Sequence, residues 1–203
     1  MSNICTDQES IYSDIDFCQG KKSLPGIRNH VFGISKRDIV TWPKIDRSTK
    51  VSLAEVPVYK GDFVLAADKK WHRLALIPNQ GQLQVESQGT YGSKTFKVTA
   101  TMNMPGTEEE ASGYIAEANN DEMVYLVPQR NGKYRVVGSE AFTPELTLAQ
   151  DSGQAATDTN QTTITAEATD EYPAPFYVGT IETANGDING SEEDDLEEAG
   201  VGG

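Results

Sequence analysis

Residues 89–95, Gly-Thr-Tyr-Gly-Ser-Lys-Thr, join glycines to a Lys-Thr pair, which are the ingredients of a loop that cradles phosphate. In such a loop the glycines let backbone N–H groups face the anion while the lysine reaches its outer oxygens. Here the glycine-to-lysine spacing differs from that pattern, and strand-like alternation follows Lys94 where a helix would have to start. The segment therefore reads as a hairpin turn.

Other chemistry-bearing residues are equally isolated. His30 and His72 are the only histidines and have no second histidine or cysteine at metal-ligand spacing. Cys5 and Cys18 lie 13 positions apart without histidine partners, so they fit neither a zinc pattern nor a disulfide framework and read as free thiols. Glu108, Glu109 and Glu110 are consecutive, so on a helix their carboxylates diverge, and the first turn of a helix favours acids in any case. Asp194-Asp195 lacks the fixed spacing of a calcium loop. No nucleophile elbow surrounds any serine. We therefore assign no catalytic, cofactor-binding or metal-ligating residue, single out no binding residue, expect no cofactor, and read the chain as a non-enzyme.

The elements that would position any site are mostly strands. Residues 30–35 (His-Val-Phe-Gly-Ile-Ser), 38–42 (Asp-Ile-Val-Thr-Trp) and 51–54 (Val-Ser-Leu-Ala) are short β-rich pieces. A hairpin is expected between residues 62–67 and 71–77 across the charged break Asp68-Lys69-Lys70, with Pro78 ending its second strand. The alternation of apolar with polar residues is cleanest in 82–87 and 95–102, where Phe96, Val98, Ala100 and Met102 share one face and Thr95, Lys97, Thr99 and Thr101 the other. Such a hairpin is half-buried, with one face on a core and one toward water or a neighbouring subunit.

One helix is expected over about 107–119. Thr107 stands as its cap with Glu110 at capping-box spacing, and Ala111, Tyr114, Ile115 and Ala118 fall on one side. Asn131-Gly132 between the β-rich runs 123–127 and 134–138 is a strong hairpin signal. Residues 143–160 read as a mobile loop, and 162–168 and 176–181 as the closing strands. The fold class is thus mainly β: an antiparallel sandwich or barrel with one helix. Its expected parts are an irregular N-terminal arm (1–29), a core domain (30–182) and a disordered acidic tail (183–203).

Charge is divided unevenly along the chain. Residues 1–100 carry 14 Lys/Arg against 10 Asp/Glu, whereas residues 101–203 carry 3 against 21. Opposite poles let copies attract one another head to tail. The net charge of −14 argues against wrapping nucleic acid, which needs an excess of cations along a face. No apolar run approaches the roughly 20 residues of a membrane span, and the N-terminus lacks a basic start followed by an apolar stretch, so the expectation is a cytosolic protein without a membrane partner.

Taken together, the order of elements over residues 20–182 resembles the tail tube proteins of long-tailed bacteriophages and, more distantly, the ring-forming tube proteins of bacterial secretion systems. The carriers are Leu24-Pro25-Gly26-Ile27-Arg28 leading into Val31-Phe32-Gly33-Ile34, the hairpin around 89–92, the helix 107–119, the Asn131-Gly132 hairpin, and a small-residue loop at 152–157 before the closing strands. The acidic C-terminal residues have no counterpart in that pattern. The resemblance implies a virion subunit, made in the bacterial host cytoplasm, that joins copies of itself into rings, six to a ring, stacked into a hollow tube. Its partners would be itself, other tail proteins, and DNA as passing cargo. A tail terminator or adaptor, and a small β-sandwich module binding carbohydrate or protein, are the alternatives. The module would need an exposed cluster drawn from Trp42, Trp71, Tyr91, Tyr114, Tyr125 and Tyr134, which look dispersed along the chain.

Overall fold

The computed structural model describes residues 12–16, 18–20, 22–46 and 52–191. In chain order its strands begin with β1 (His30–Ser35), β2 (Ile39–Thr41), β3 (Lys44–Ile45), β4 (Val58–Lys60), β5 (Val64–Leu65) and β6 (His72–Ala75). Next come β7 (Gln82–Gln88), β8 (Thr95–Pro105), the helix α1 (Glu109–Ala118), β9 (Met123–Pro128) and β10 (Tyr134–Val137). The chain continues through β11 (Glu145–Asp151), β12 (Gln161–Asp170), β13 (Phe176–Tyr177), β14 (Thr180–Thr183) and β15 (Gly186–Asn189). The protein is mainly β and sandwich-like, as expected, and its sheets do not close into a barrel.

A seven-stranded sheet, β3-β4-β13-β10-β9-β1-β6, forms the middle layer. One of its faces packs on a four-stranded antiparallel sheet, β11-β12-β8-β7. Between them lie Val31, Tyr125, Val127 and Val137 from the middle layer and Val98, Ala100, Met102, Ile164 and Ala166 from the smaller sheet. Tyr114, Ile115 and Ala118 bring α1 onto the same core. The other face of the middle layer is covered by the small pairs β2-β5 and β14-β15, through Phe32, Ile34, Val124, Leu126, Phe63, Trp71 and Ile181. Central strands covered on both faces cannot alternate, because neither face meets water. That is why β1 and β9 are buried at every position and read as nearly unbroken apolar runs.

In the four-stranded sheet, by contrast, the alternation is strict. Val98, Ala100, Met102 and Met104 of β8 are buried, and the residues between them are half-exposed. The β9–β10 hairpin forms at Asn131-Gly132, whose loop is closed by bonds from Gln129 N to Lys133 O (2.9 Å) and from Gly132 N to Gln129 O (3.0 Å).

Several expected elements fall elsewhere. A 3-10 turn at Lys36–Asp38 takes the start of the second strand, which shortens to β2. Residues 53–57 form turns, with the Glu55 carboxylate accepting bonds from the Ser52 N–H and hydroxyl (both 3.1 Å); Val51 lies outside the described residues. The hairpin expected between 62–67 and 71–77 does not form, because β5 pairs with β2 and β6 with β1. The helix begins at Glu109 with Glu108 as its N-cap and no side-chain cap bond, so the Thr107–Glu110 capping box is absent. Instead the Thr107 carbonyl accepts a bond from the Ser112 hydroxyl (3.1 Å).

Three longer expectations are also corrected. Residues 143–160 are not a loop throughout: 145–151 form β11, with Leu146 and Leu148 packed on the core, and only 152–160 connect it to β12. The last closing strand, expected over 176–181, splits into β13 and β14, which belong to different sheets. Finally, the fold does not end at 182. β15 pairs with β14, buries Thr183 and packs Ile188 on the core, so residues 183–191 are structured rather than a disordered tail; 192–203 lie outside the described residues. At the other end Ile27 is buried and bridges to Gln129, so the arm joins the core before β1 begins.

Candidate functional site: a polar sheet face between two open edges

The residues with catalytic or ligand-binding side chains are not brought together. His30 is buried edge-on against Phe32, with ring centroids 5.4 Å apart, whereas His72 is exposed on β6. Gly89–Ser93 is a turn between β7 and β8 with Ser93 N bonded to Thr90 O (3.0 Å), and Tyr91 at its tip is fully exposed. Gly89 there has φ +90°, and a Cβ on it would stand 2.8 Å from the Ser93 carbonyl, so the glycine serves the hairpin turn. Glu108, Glu109 and Glu110 are all exposed at the start of α1. Cys18 is a free, exposed thiol; Cys5 and Asp194-Asp195 lie outside the described residues. No group of three or more His, Cys, Asp or Glu that could hold a metal occurs among the described residues. No helix of the described residues is long and apolar enough to cross a membrane.

The aromatic residues divide by layer. Trp42, Phe63 and Trp71 stack edge to face at 5.2 and 5.4 Å in the covering layer, Tyr134 is buried, and Tyr114 and Tyr125 meet in the main core. Burial raises the Tyr114 hydroxyl to about 12 and the Tyr125 hydroxyl further still, so both stay protonated. These aromatics form no exposed cluster.

The most extensive polar surface is the outward face of the four-stranded sheet. Register places Thr147, Thr165, Thr101 and Gln82 in one row across it, and Glu145, Glu167, Thr99 and Gln84 in the next. A third row holds Thr169, Lys97 and Glu86, so the face is built almost wholly of hydroxyl, amide and carboxylate groups. Its one cation is Lys97, whose ammonium lies 2.8 Å from the Glu167 carboxylate. That hydrogen bond raises the Lys97 pKa and keeps the charge fixed. Against it stand Glu86, Glu145, Glu167 and Asp151, so the face is net acidic.

The face is bounded by two open edges. β7 and β11, seven residues each, close the four-stranded sheet on opposite sides, and both are largely exposed. An unpaired strand edge presents a row of N–H and C=O groups that can template pairing with another chain. The expected signal for this surface, alternation with threonines on one face of 95–102, was legible; the second edge was not, since 145–151 read as loop. The chain matches no protein-family model, no curated protein and no solved structure.

Proposed function

We propose that this protein is a structural subunit that joins copies of itself edge to edge into rings, which stack into a hollow tube of the kind its resemblance to phage tail tube proteins implies. The observation that carries the reading is the pair of open edges on one sheet. Successive strands of β7-β8-β12-β11 are all antiparallel, so β7 and β11 run in opposite directions. If β7 of one copy meets β11 of the next, the antiparallel alternation continues across the junction. Repetition of one such heterologous contact, with a rotation that closes, forms a ring and leaves neither edge of this sheet exposed.

In that ring the polar face lines the channel. Its opposite face is already covered by the middle layer, and the bulk of the subunit needs the larger space available at greater radius. A channel surface whose single lysine is held by a carboxylate offers phosphates no free cation, so DNA passes without adhering.

Negative-stain electron microscopy over a concentration series, at low and moderate salt, tests this directly. Rings or hollow tubes are the expected result, with the backbone amides of β7 and β11 gaining protection from hydrogen exchange on assembly. Monomeric particles under every condition, or an assembly in which those two edges exchange as fast as in the monomer, would overturn it.

A further inference from the structure

The inward row of β12 is apolar in its centre and polar at both ends, where Thr162 and Asp170 are each buried. The two ends are treated differently. Thr162 is satisfied: its hydroxyl donates to Gly106 O (2.8 Å) and accepts from Gln150 Nε2 (3.0 Å). Asp170 is only 5% exposed, and although Oδ1 accepts the Tyr172 N–H at 3.0 Å, Oδ2 has no hydrogen-bond partner. A buried carboxylate oxygen without a partner makes the ionised form costly.

Asp170 lies on the wall of a cavity of about 420 Å³, a size suited to a small ligand or a large side chain. Aromatic rings from four separate segments line the same cavity: Trp42 before β3, Tyr59 of β4, Phe142 and Tyr172. Phe142 is 39% exposed, so this ring is open to solvent. The charged residues on the wall are Asp170, Glu140 and Glu171 against Lys44, so the cavity is net negative. Ser139 braces the rim, accepting the Phe142 N–H at 3.1 Å and donating to Thr169 O at 3.4 Å.

We propose that this cavity binds an organic cation, a guanidinium or alkylammonium group, with its charge toward Asp170 and its faces against the aromatic walls. Aromatic faces attract such cations through their quadrupoles, and more strongly where water is excluded, while hydrated metal ions gain little from them. A cation beside these three carboxylates would also offset the cost of ionising Asp170. Burial, the larger influence, and the Glu171 charge raise the Asp170 carboxyl to about 6, so it is ionised and ready for a cation at neutral pH. The group comes either from a free small molecule or from an Arg or Lys side chain of a second copy.

The test is a titration of the full chain, followed by amide and indole N–H shifts, with N-acetyl-arginine amide and with its uncharged isostere N-acetyl-citrulline amide. We expect saturable millimolar binding of the arginine compound with shifts at Trp42 and Tyr172, and binding at least about tenfold weaker for citrulline. Asp170→Asn retains an Oδ1 acceptor for Tyr172 yet removes the charge, and it should weaken arginine binding by a similar factor. Phe142→Ser changes an exposed ring, so its loss of affinity can be read even if Asp170→Asn fails to fold. Equal binding of the two compounds, or equal binding by wild type and both variants, would overturn the proposal. Light scattering with the arginine compound present then sorts the source: suppressed self-association places the cation on a second copy, and unchanged association identifies a free ligand.

Discussion

The hydroxyls of Tyr114 on α1 and Tyr125 on β9 meet at 3.3 Å above Gly33 of β1. This contact joins the helix to the middle sheet beside its apolar packing, and there is room for it because Gly33 has no side chain. A Cβ there would stand 2.9 Å from the Tyr125 ring and 3.2 Å from the Tyr114 hydroxyl. Neither ring can withdraw easily, since Tyr125 is fully buried and Tyr114 packs on the same core. Gly33→Ala should therefore destabilise the fold by about 1–3 kcal/mol through overpacking, read as a lower urea midpoint with an unchanged slope. A midpoint equal to wild type would show that the helix can move off the sheet without cost.

Much of the sandwich was legible in the sequence because its signals are local. The alternation in 95–102 and the Asn131-Gly132 turn each depend on a few neighbouring residues, and each produced the expected element. The misses have a common physical source in longer-range pairing. Residues 62–67 and 71–77 are strand-like but take their partners from β2 and β1 rather than from each other. Leu146 and Leu148 alternate with polar residues as plainly as many strands do, yet the small residues after 151 obscured the pattern. Asn185-Gly186 carries the same turn signal as Asn131-Gly132, and it was masked by the acidic composition that follows it. Nothing local marks Asp170 as buried, because its cover comes from 139–142 and from the Trp42 segment.

Tyr177 fastens the covering layer to the middle sheet. Its hydroxyl accepts the buried Phe63 N–H at 3.2 Å and donates to Thr180 O at 2.7 Å, and burial raises it to about 12, so it remains a donor. Gly179 lets the chain pass this close, since a Cβ would lie 2.6 Å from that hydroxyl. Tyr177→Phe strands the Phe63 N–H in a buried site and should cost about 1–3 kcal/mol. Amide exchange supplies the specific readout: Phe63 should lose protection more than β9 does.

The β14–β15 hairpin is part of the folded body. Trp71 N donates to Glu182 O at 2.9 Å, Lys70 Nζ reaches Thr183 O at 3.4 Å, and Gly190 N bonds Gly179 O at 2.8 Å. Truncation after Glu182 removes Thr183 and Ile188 from the layer that covers Trp71, and should lower stability by about 2–4 kcal/mol. Comparison with truncation after Ser191 isolates the share of the hairpin. An equal melting temperature for the two truncations would show that β15 contributes nothing.

Asp170 gives the fold a pH dependence of defined sign. Its carboxyl titrates near 6 in the folded chain against an ordinary value of 3.8, chiefly because burial penalises the charged form. The folded state therefore binds the proton more tightly than the unfolded state. The stability this confers is complete below about pH 4 and is lost as pH rises through about 6. Asp170→Asn cannot ionise and keeps the acceptor for Tyr172, so it should be more stable than wild type above pH 6, by about 2 kcal/mol at pH 7.5, with the difference shrinking toward pH 4. Thermal denaturation of both proteins across that range measures it. A difference that stays constant with pH would mean that Asp170 is solvated in the folded state, and a saturating concentration of the arginine compound should narrow the gap at pH 7.5 by stabilising the wild type more than the variant.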